Sequence, residues 1–134
     1  MLVNYTHQFN YRLLEDNSYY PVIVLTVSDK DDFEILAVID SGATASVFSV
    51  QIAEAVGIEN IFQGEERIFR LANGRSLIAY GHELTLIVEN NKIKETIYFS
   101  ETEIPRNLIG RTFLDKLQIG FREHHQQFYI RFEA

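Results

Sequence analysis

Ile35-Leu36-Ala37-Val38-Ile39-Asp40-Ser41-Gly42-Ala43 is an apolar run that breaks into a turn on a carboxylate. No polar residue interrupts Ile35 to Ile39, so the run reads as a buried strand, and Asp, Ser and Gly are residues that turn a chain. Asp40 is thereby expected at the end of a buried strand. There, desolvation disfavours the charged carboxylate, and a second carboxylate beside it would force the two to share one proton. Asp-Ser-Gly alone is an ordinary turn, whose bland reading is a solvated loop. No second Asp-Ser/Thr-Gly occurs in the chain to supply a partner.

Working outward, the 134 residues fit one domain, 1–134, large enough to hold a core without staples. There is no cysteine, which excludes disulfides, thiolate metal sites and thiol catalysis. The N-terminus has neither a basic region nor a long apolar core, and no stretch approaches the length of a membrane span. A soluble, cytoplasmic protein is the expectation, with no membrane partner. A net charge of -7 with scattered Lys and Arg argues against nucleic acid, whose phosphates require clustered positive charge.

Most of the chain has the two-residue period of strands. Val3, Tyr5, His7, Phe9, Tyr11 and Leu13 alternate, and Tyr20–Val27 and Phe33–Ile39 follow about polar turns. Ser49 to Gly57 reads as a short helix, capped by Ser49 and stopped by Gly57. Glu66–Leu71 and Ser76–Tyr80 flank Asn73-Gly74, the pair most favoured in a two-residue hairpin. Leu84–Val88 and Ile93–Phe99 pair about Asn90-Asn91. Asn107-Leu108-Ile109-Gly110-Arg111 runs from a strand end into a second short helix with Thr112 as N-cap, and Gln118–Phe121 and Gln127–Phe132 end the chain. Alternating Phe128, Ile130 and Phe132 are expected on a core strand.

An apolar strand ending in Asp40-Ser41-Gly42-Ala43, a glycine-tipped hairpin at Ala72-Asn73-Gly74, and Leu108-Ile109-Gly110-Arg111 leading into a helix occur in this order. The combination resembles the retropepsin-like aspartic proteases, over about residues 19 to 132. It looks most like the bacterial and archaeal single-domain members and the related eukaryotic ubiquitin-receptor proteases. The resemblance implies a mainly β fold: a closed barrel with a flap hairpin and one or two short helices, acting as a homodimer. Two copies would each donate one Asp40 across a two-fold axis, the commonest oligomeric symmetry.

The resemblance further implies an aspartic endopeptidase acting on an extended peptide or protein substrate, without cofactor or metal. One Asp40 would act as base toward a shared water while its twin, protonated, hydrogen-bonds the scissile carbonyl; this shared proton is the known chemistry of the class. Ser41 matches the hydroxyl that interlocks across the axis, and Gly42 keeps a Cβ away from the dyad. Ala72, Asn73 and Gly74 match the flap tip over the substrate, and Leu108, Ile109, Gly110 and Arg111 match the buttress of the active-site loop. Thr44 stands where retroviral members carry an Asp that pairs with the Arg of the Gly-Arg segment, so Arg111 needs another carboxylate or a carbonyl. Ala43 lacks the hydroxyl that pepsin-like members often place there, which implies a less acid optimum.

Rival readings are weaker. His82-Glu83, His124-His125 and the acidic residues Asp29, Asp31 and Asp32 are possible metal ligands, but adjacent His on extended chain point to opposite faces. The acidic cluster reads as a solvated hairpin tip. The alternative function is a peptide-binding or scaffold domain that keeps the protease fold without turnover.

Overall fold

The computed structural model describes residues 2–71 and 73–132. The alternating N-terminal segment becomes β1 (His7–Asn10) and β2 (Arg12–Leu13), with Tyr11 buried between them. β3 (Tyr19–Tyr20) pairs back onto β2, and β4 (Val22–Ser28) and β5 (Asp32–Ile39) form an antiparallel pair with Val22 opposite Val38. β6 (Ser46–Phe48) leads into α1 (Val50–Ala55). β7 (Glu65–Arg70), β8 (Ser76–Val88) and β9 (Asn91–Ser100) pair antiparallel in succession. β10 (Leu108–Ile109), α2 (Arg111–Leu114), β11 (Leu117–Arg122) and β12 (Gln127–Phe132) complete the order.

Strands β4, β5, β10, β6, β9 and β8 are hydrogen-bonded in that order, and β8 returns to pair with β4, closing a six-strand barrel. β7 hangs on the outer edge of β8, and β1, β12 and β11 form a separate three-stranded sheet. Closure gives each barrel strand two neighbours, although β5 meets β10 only at its C-terminal end. One apolar core fills the interior and the space under both helices, with Ile23, Phe48, Ile97, Phe99, Ile109 and Phe113 fully buried. Phe128 and Ile130 of β12 belong to it, as expected of a core strand. Among the described residues no helix is long and apolar enough to cross a membrane.

Several elements depart from the sequence reading. The Ile35–Ile39 run is buried on one face only: Ile35, Ala37 and Ile39 point inward, while Leu36 is exposed. The cause is that successive side chains of β5 alternate between the core and the outer surface of the barrel. Ser76–Tyr80 and Leu84–Val88 are one strand, because Gly81 continues the ladder opposite Glu65 and Tyr98. The turn before β8 is wider than a two-residue loop: the Leu71 N–H donates to the Arg75 carbonyl and the Gly74 N–H to that of Leu71. Gly74 takes positive φ, as expected. Two residues of positive φ instead form the β8–β9 turn, at Glu89 and Asn90, one position earlier than expected. Gly57 stops α1 at positive φ as expected, although the Ser49 side chain makes no capping bond.

Candidate active site

β5 and β6 do not pair with each other; β10 lies between them, parallel to β5 and antiparallel to β6. The chain from Asp40 to Ala45 must therefore pass over the end of β10, where Gly110 stands. A Cβ built on Gly110 would lie 2.3 Å from the Ala45 carbonyl oxygen and 2.9 Å from that of Ala43. Glycine is required there by close approach, since the Gly110 φ of -106 is open to any residue.

This crossing satisfies most of the local backbone. The Asp40 N–H donates to the Ile109 carbonyl at 2.9 Å, and the Arg111 N–H donates to the Ala43 carbonyl at 2.9 Å. The Thr112 N–H reaches the Thr44 carbonyl at 3.3 Å. The first donors of α2 are thus taken by loop carbonyls, which is why the N-cap falls on Gly110 and not on Thr112 as expected.

Asp40 is half-buried at the strand end, and its Oδ1 accepts the Gly42 N–H at 2.9 Å. That bond orients the carboxylate and leaves Oδ2 unengaged by protein donors among the described residues. Ser41 and Gly42 are exposed beside it, and a Cβ on Gly42 would stand 3.2 Å from Oδ1. On one side of Asp40 an open hollow is walled by Tyr11, Tyr19, Tyr20 and Phe121. On the other, Gly42 and Ala43 form the edge of a larger cavity of about 630 Å³. It is lined by Val47, by Phe69, Leu71 and Leu77 around the β7–β8 hairpin, and by Ile104, Pro105 and Leu108.

The cavity walls are tied down by charge. Arg106 binds Glu15 at 2.9 Å and Asp16 at 3.2 Å, and its guanidinium lies 4.3 Å from the centre of the Tyr20 ring. Asp16 is held below the usual carboxylate range, chiefly by the Tyr20 hydroxyl it accepts; Glu15 is held low by a backbone hydrogen bond and by Arg106. In the lining of the hollow, Tyr11 donates to Glu123 at 2.6 Å, and burial together with this bond pushes its phenol up to about 12.

Of the residues singled out from sequence, Asp40, Ser41, Gly42, Ala43, Leu108, Ile109, Gly110 and the Arg111 backbone converge here. Asn73 and Gly74 sit at the exposed hairpin tip, and Ala72 lies outside the described residues. The Arg111 side chain is exposed and, among the described residues, finds no carboxylate. Thr44 is instead approached by Arg67 of β7, at 3.4 Å. Among the described residues no group of His, Asp and Glu is arranged to hold a metal.

Two residues that sequence reasoning passed over complete the site. Ser46 is fully buried, and its Oγ accepts the Gly110 N–H at 3.0 Å. Asn107 accepts the Ser49 N–H at 3.0 Å and donates to the Leu36 carbonyl at 3.2 Å, while its own carbonyl takes the Val38 N–H. A polar residue directly before the apolar Leu108-Ile109 pair was the available signal for Asn107; Ser46 offered none.

Neither a protein-family model nor a curated protein matches this sequence. Solved structures do match the fold. A retropepsin-like aspartic protease from Rickettsia conorii superposes with a TM-score of 0.68 at 15% identity, over 94% of this chain and 99% of that one. The EIAV protease complexed with the inhibitor HBY-793 superposes with a TM-score of 0.56 at 17% identity, over 72% of this chain and 86% of that one. The chain has the retropepsin-like fold of aspartic proteases.

Proposed function

We propose that the protein is an aspartic endopeptidase whose site forms between two copies of the chain, each contributing Asp40. The observation that carries this reading is the setting of Asp40. Its peptide is fixed by Ile109 and its Oδ1 by Gly42, and it lines an open aromatic hollow next to Gly42 and Ala43, which edge the apolar cleft. A single such carboxylate lacks the second group needed to divide acid and base roles. Support for a second copy comes from the surface around it: Tyr19 is 49% and Phe121 43% exposed beside Asp40 and Ser41. Exposed aromatics around a functional group are typical of a surface that another protein covers.

In the dimer, two carboxylates in contact share one proton. The ionised one draws a proton from a bound water, whose oxygen attacks the peptide carbonyl; the protonated one donates a hydrogen bond to the developing oxyanion. Collapse of the tetrahedral intermediate transfers a proton to the departing amine. Ser41 braces the two loops, and the β7–β8 hairpin covers the peptide and excludes water.

The test is a peptide-library digest paired with sedimentation. Cleavage by a dimer, lost by at least about a hundredfold in Asp40→Asn, is expected. Binding without cleavage by a proven dimer would instead identify a scaffold, and a pH optimum near 2 would sink the part assigned to Ala43.

A further inference from the structure

We infer that the cleft selects peptides in which a bulky apolar residue is flanked by an acidic one, with Arg67 and Arg70 as the specificity-determining residues. This deepens the endopeptidase reading and rests on it for the identity of the cleft. Among the described residues, the charged side chains lining the cavity are Arg67, Arg70 and Arg106, and no carboxylate lines it. In a chain of net charge -7, with 19 acidic against 12 basic residues, that local reversal is the reverse of what composition favours.

The three arginines are not equivalent. Arg106 is neutralised by Glu15 and Asp16. Arg67 and Arg70 have no carboxylate partner among the described residues. The Arg67 guanidinium is already positioned, 4.8 Å from the centre of the Phe69 ring and 5.5 Å from that of Tyr98. Its protein hydrogen bond, to Thr44 Oγ1 at 3.4 Å, is long and uses one donor. A guanidinium carries five N–H donors in a planar fork matched to a carboxylate, and here most remain available. Holding the fork against two rings lowers the entropy lost when an anion docks.

Apolar walls beside Arg67 strengthen its field, because nearby low-dielectric surface screens charge less than water does. Glu65 and Glu66 share β7 but do not line the cavity, and Glu66 faces Tyr80, whose phenol is raised by burial, Glu101 and Glu66. The Asp40 dyad, sharing one proton, adds one negative charge beside the cleft against two unpaired arginines per chain, and at physiological ionic strength repulsion from charge farther off fades over about 8 Å. The cleft arginines therefore decide the sign of the local interaction. Two-fold symmetry would repeat the cationic rim on the other side of the scissile bond, so acidic residues are favoured on both flanks.

The experiment uses three fluorescein-labelled peptides that differ only in the residues flanking a central Leu-Phe pair: Glu, Gln or Lys. Binding is read by anisotropy on the full chain carrying Asp40→Asn, and cleavage is read in parallel on the unaltered protein. The Glu peptide is expected to bind about fivefold more tightly than the Gln peptide, the range of a single well-placed ion pair, and the Lys peptide more weakly than both. The Glu/Gln ratio should fall toward one in high salt and in Arg67→Gln/Arg70→Gln, and be partly restored in Arg67→Lys/Arg70→Lys. Equal binding of the three peptides, binding of none, or a ratio unmoved by the arginine substitutions overturns the inference. Cleavage without preference sinks this inference and leaves the peptidase; preferential binding without cleavage by the unaltered protein sinks the peptidase and leaves the acidic preference.

Discussion

Gly110 lies against Ala45 so closely that a Cβ on the glycine would stand 2.3 Å from the alanine carbonyl oxygen. The obstruction is backbone and cannot swing aside. Gly110→Ala is expected to cost at least about 1–3 kcal/mol, as overpacking does, and to move the Asp40 loop off β10. Urea unfolding gives the first number. Cleavage assays should show a larger loss of activity than Ile109→Val, which trims the same segment without a clash.

Ser46 and Ser41 separate structural from functional hydroxyls. Ser46→Ala leaves the buried Gly110 N–H without an acceptor and should destabilise the chain by about 1–3 kcal/mol. Ser41 is exposed, so Ser41→Ala should leave the monomer's stability within about 0.5 kcal/mol and weaken dimerisation. Thermal melts and sedimentation of the two variants check the split.

Glu95 sets an acid-side dependence. It is 4% exposed on the inward face of β9; its Oε1 accepts the Thr96 N–H at 2.9 Å and lies 3.8 Å from Lys116 Nζ, and Oε2 has no hydrogen-bond partner among the described residues. Burial raises its pKa, against the lowering effect of Lys116. The folded state therefore holds this proton more tightly than the unfolded chain. This contribution to stability is full below the ordinary value of 4.5 and is lost as pH rises through the raised value. Glu95→Gln should remove that slope, and a stability-pH curve unchanged by the substitution would exclude the assignment.

Tyr11 sets an alkaline one. The folded state keeps its phenol protonated to about 12, whereas the unfolded chain releases the proton near 10, so stability falls as pH rises between those values. Tyr11→Phe should flatten the curve in that window. Its effect at neutral pH measures the Tyr11–Glu123 hydrogen bond, about 1–2 kcal/mol.

Local chemistry was legible in the sequence, and long-range bonding was not. Ile35 to Ala43 and Leu108 to Arg111 announced themselves because an apolar run broken by Asp-Ser-Gly, or by Gly-Arg, constrains its own backbone. Ser46 looked like any loop serine, since its partner Gly110 is 64 positions away. Gly81 read as a break between strands but continues β8, where a Cβ would meet the Tyr98 ring at 2.9 Å. Glu89 carries no turn signal, yet the Val88–Asn91 pairing forces it to positive φ. The charge reversal in the cleft was equally hidden, because Arg67, Arg70 and Arg106 come to one cavity only in the fold.

The parallel pairing of β5 with β10 also has a kinetic side. Val38 and Leu108 become neighbours only after nearly the whole chain between them has been made, and loop closure over that span must be met before the contact returns any stabilisation. The Asp40 loop is thus anchored by one of the long-range pairings of the fold. A chain that ends before β10 carries Asp40 without the Ile109 carbonyl that accepts its N–H, so the strand end that holds the carboxylate is set only once that late segment is in place.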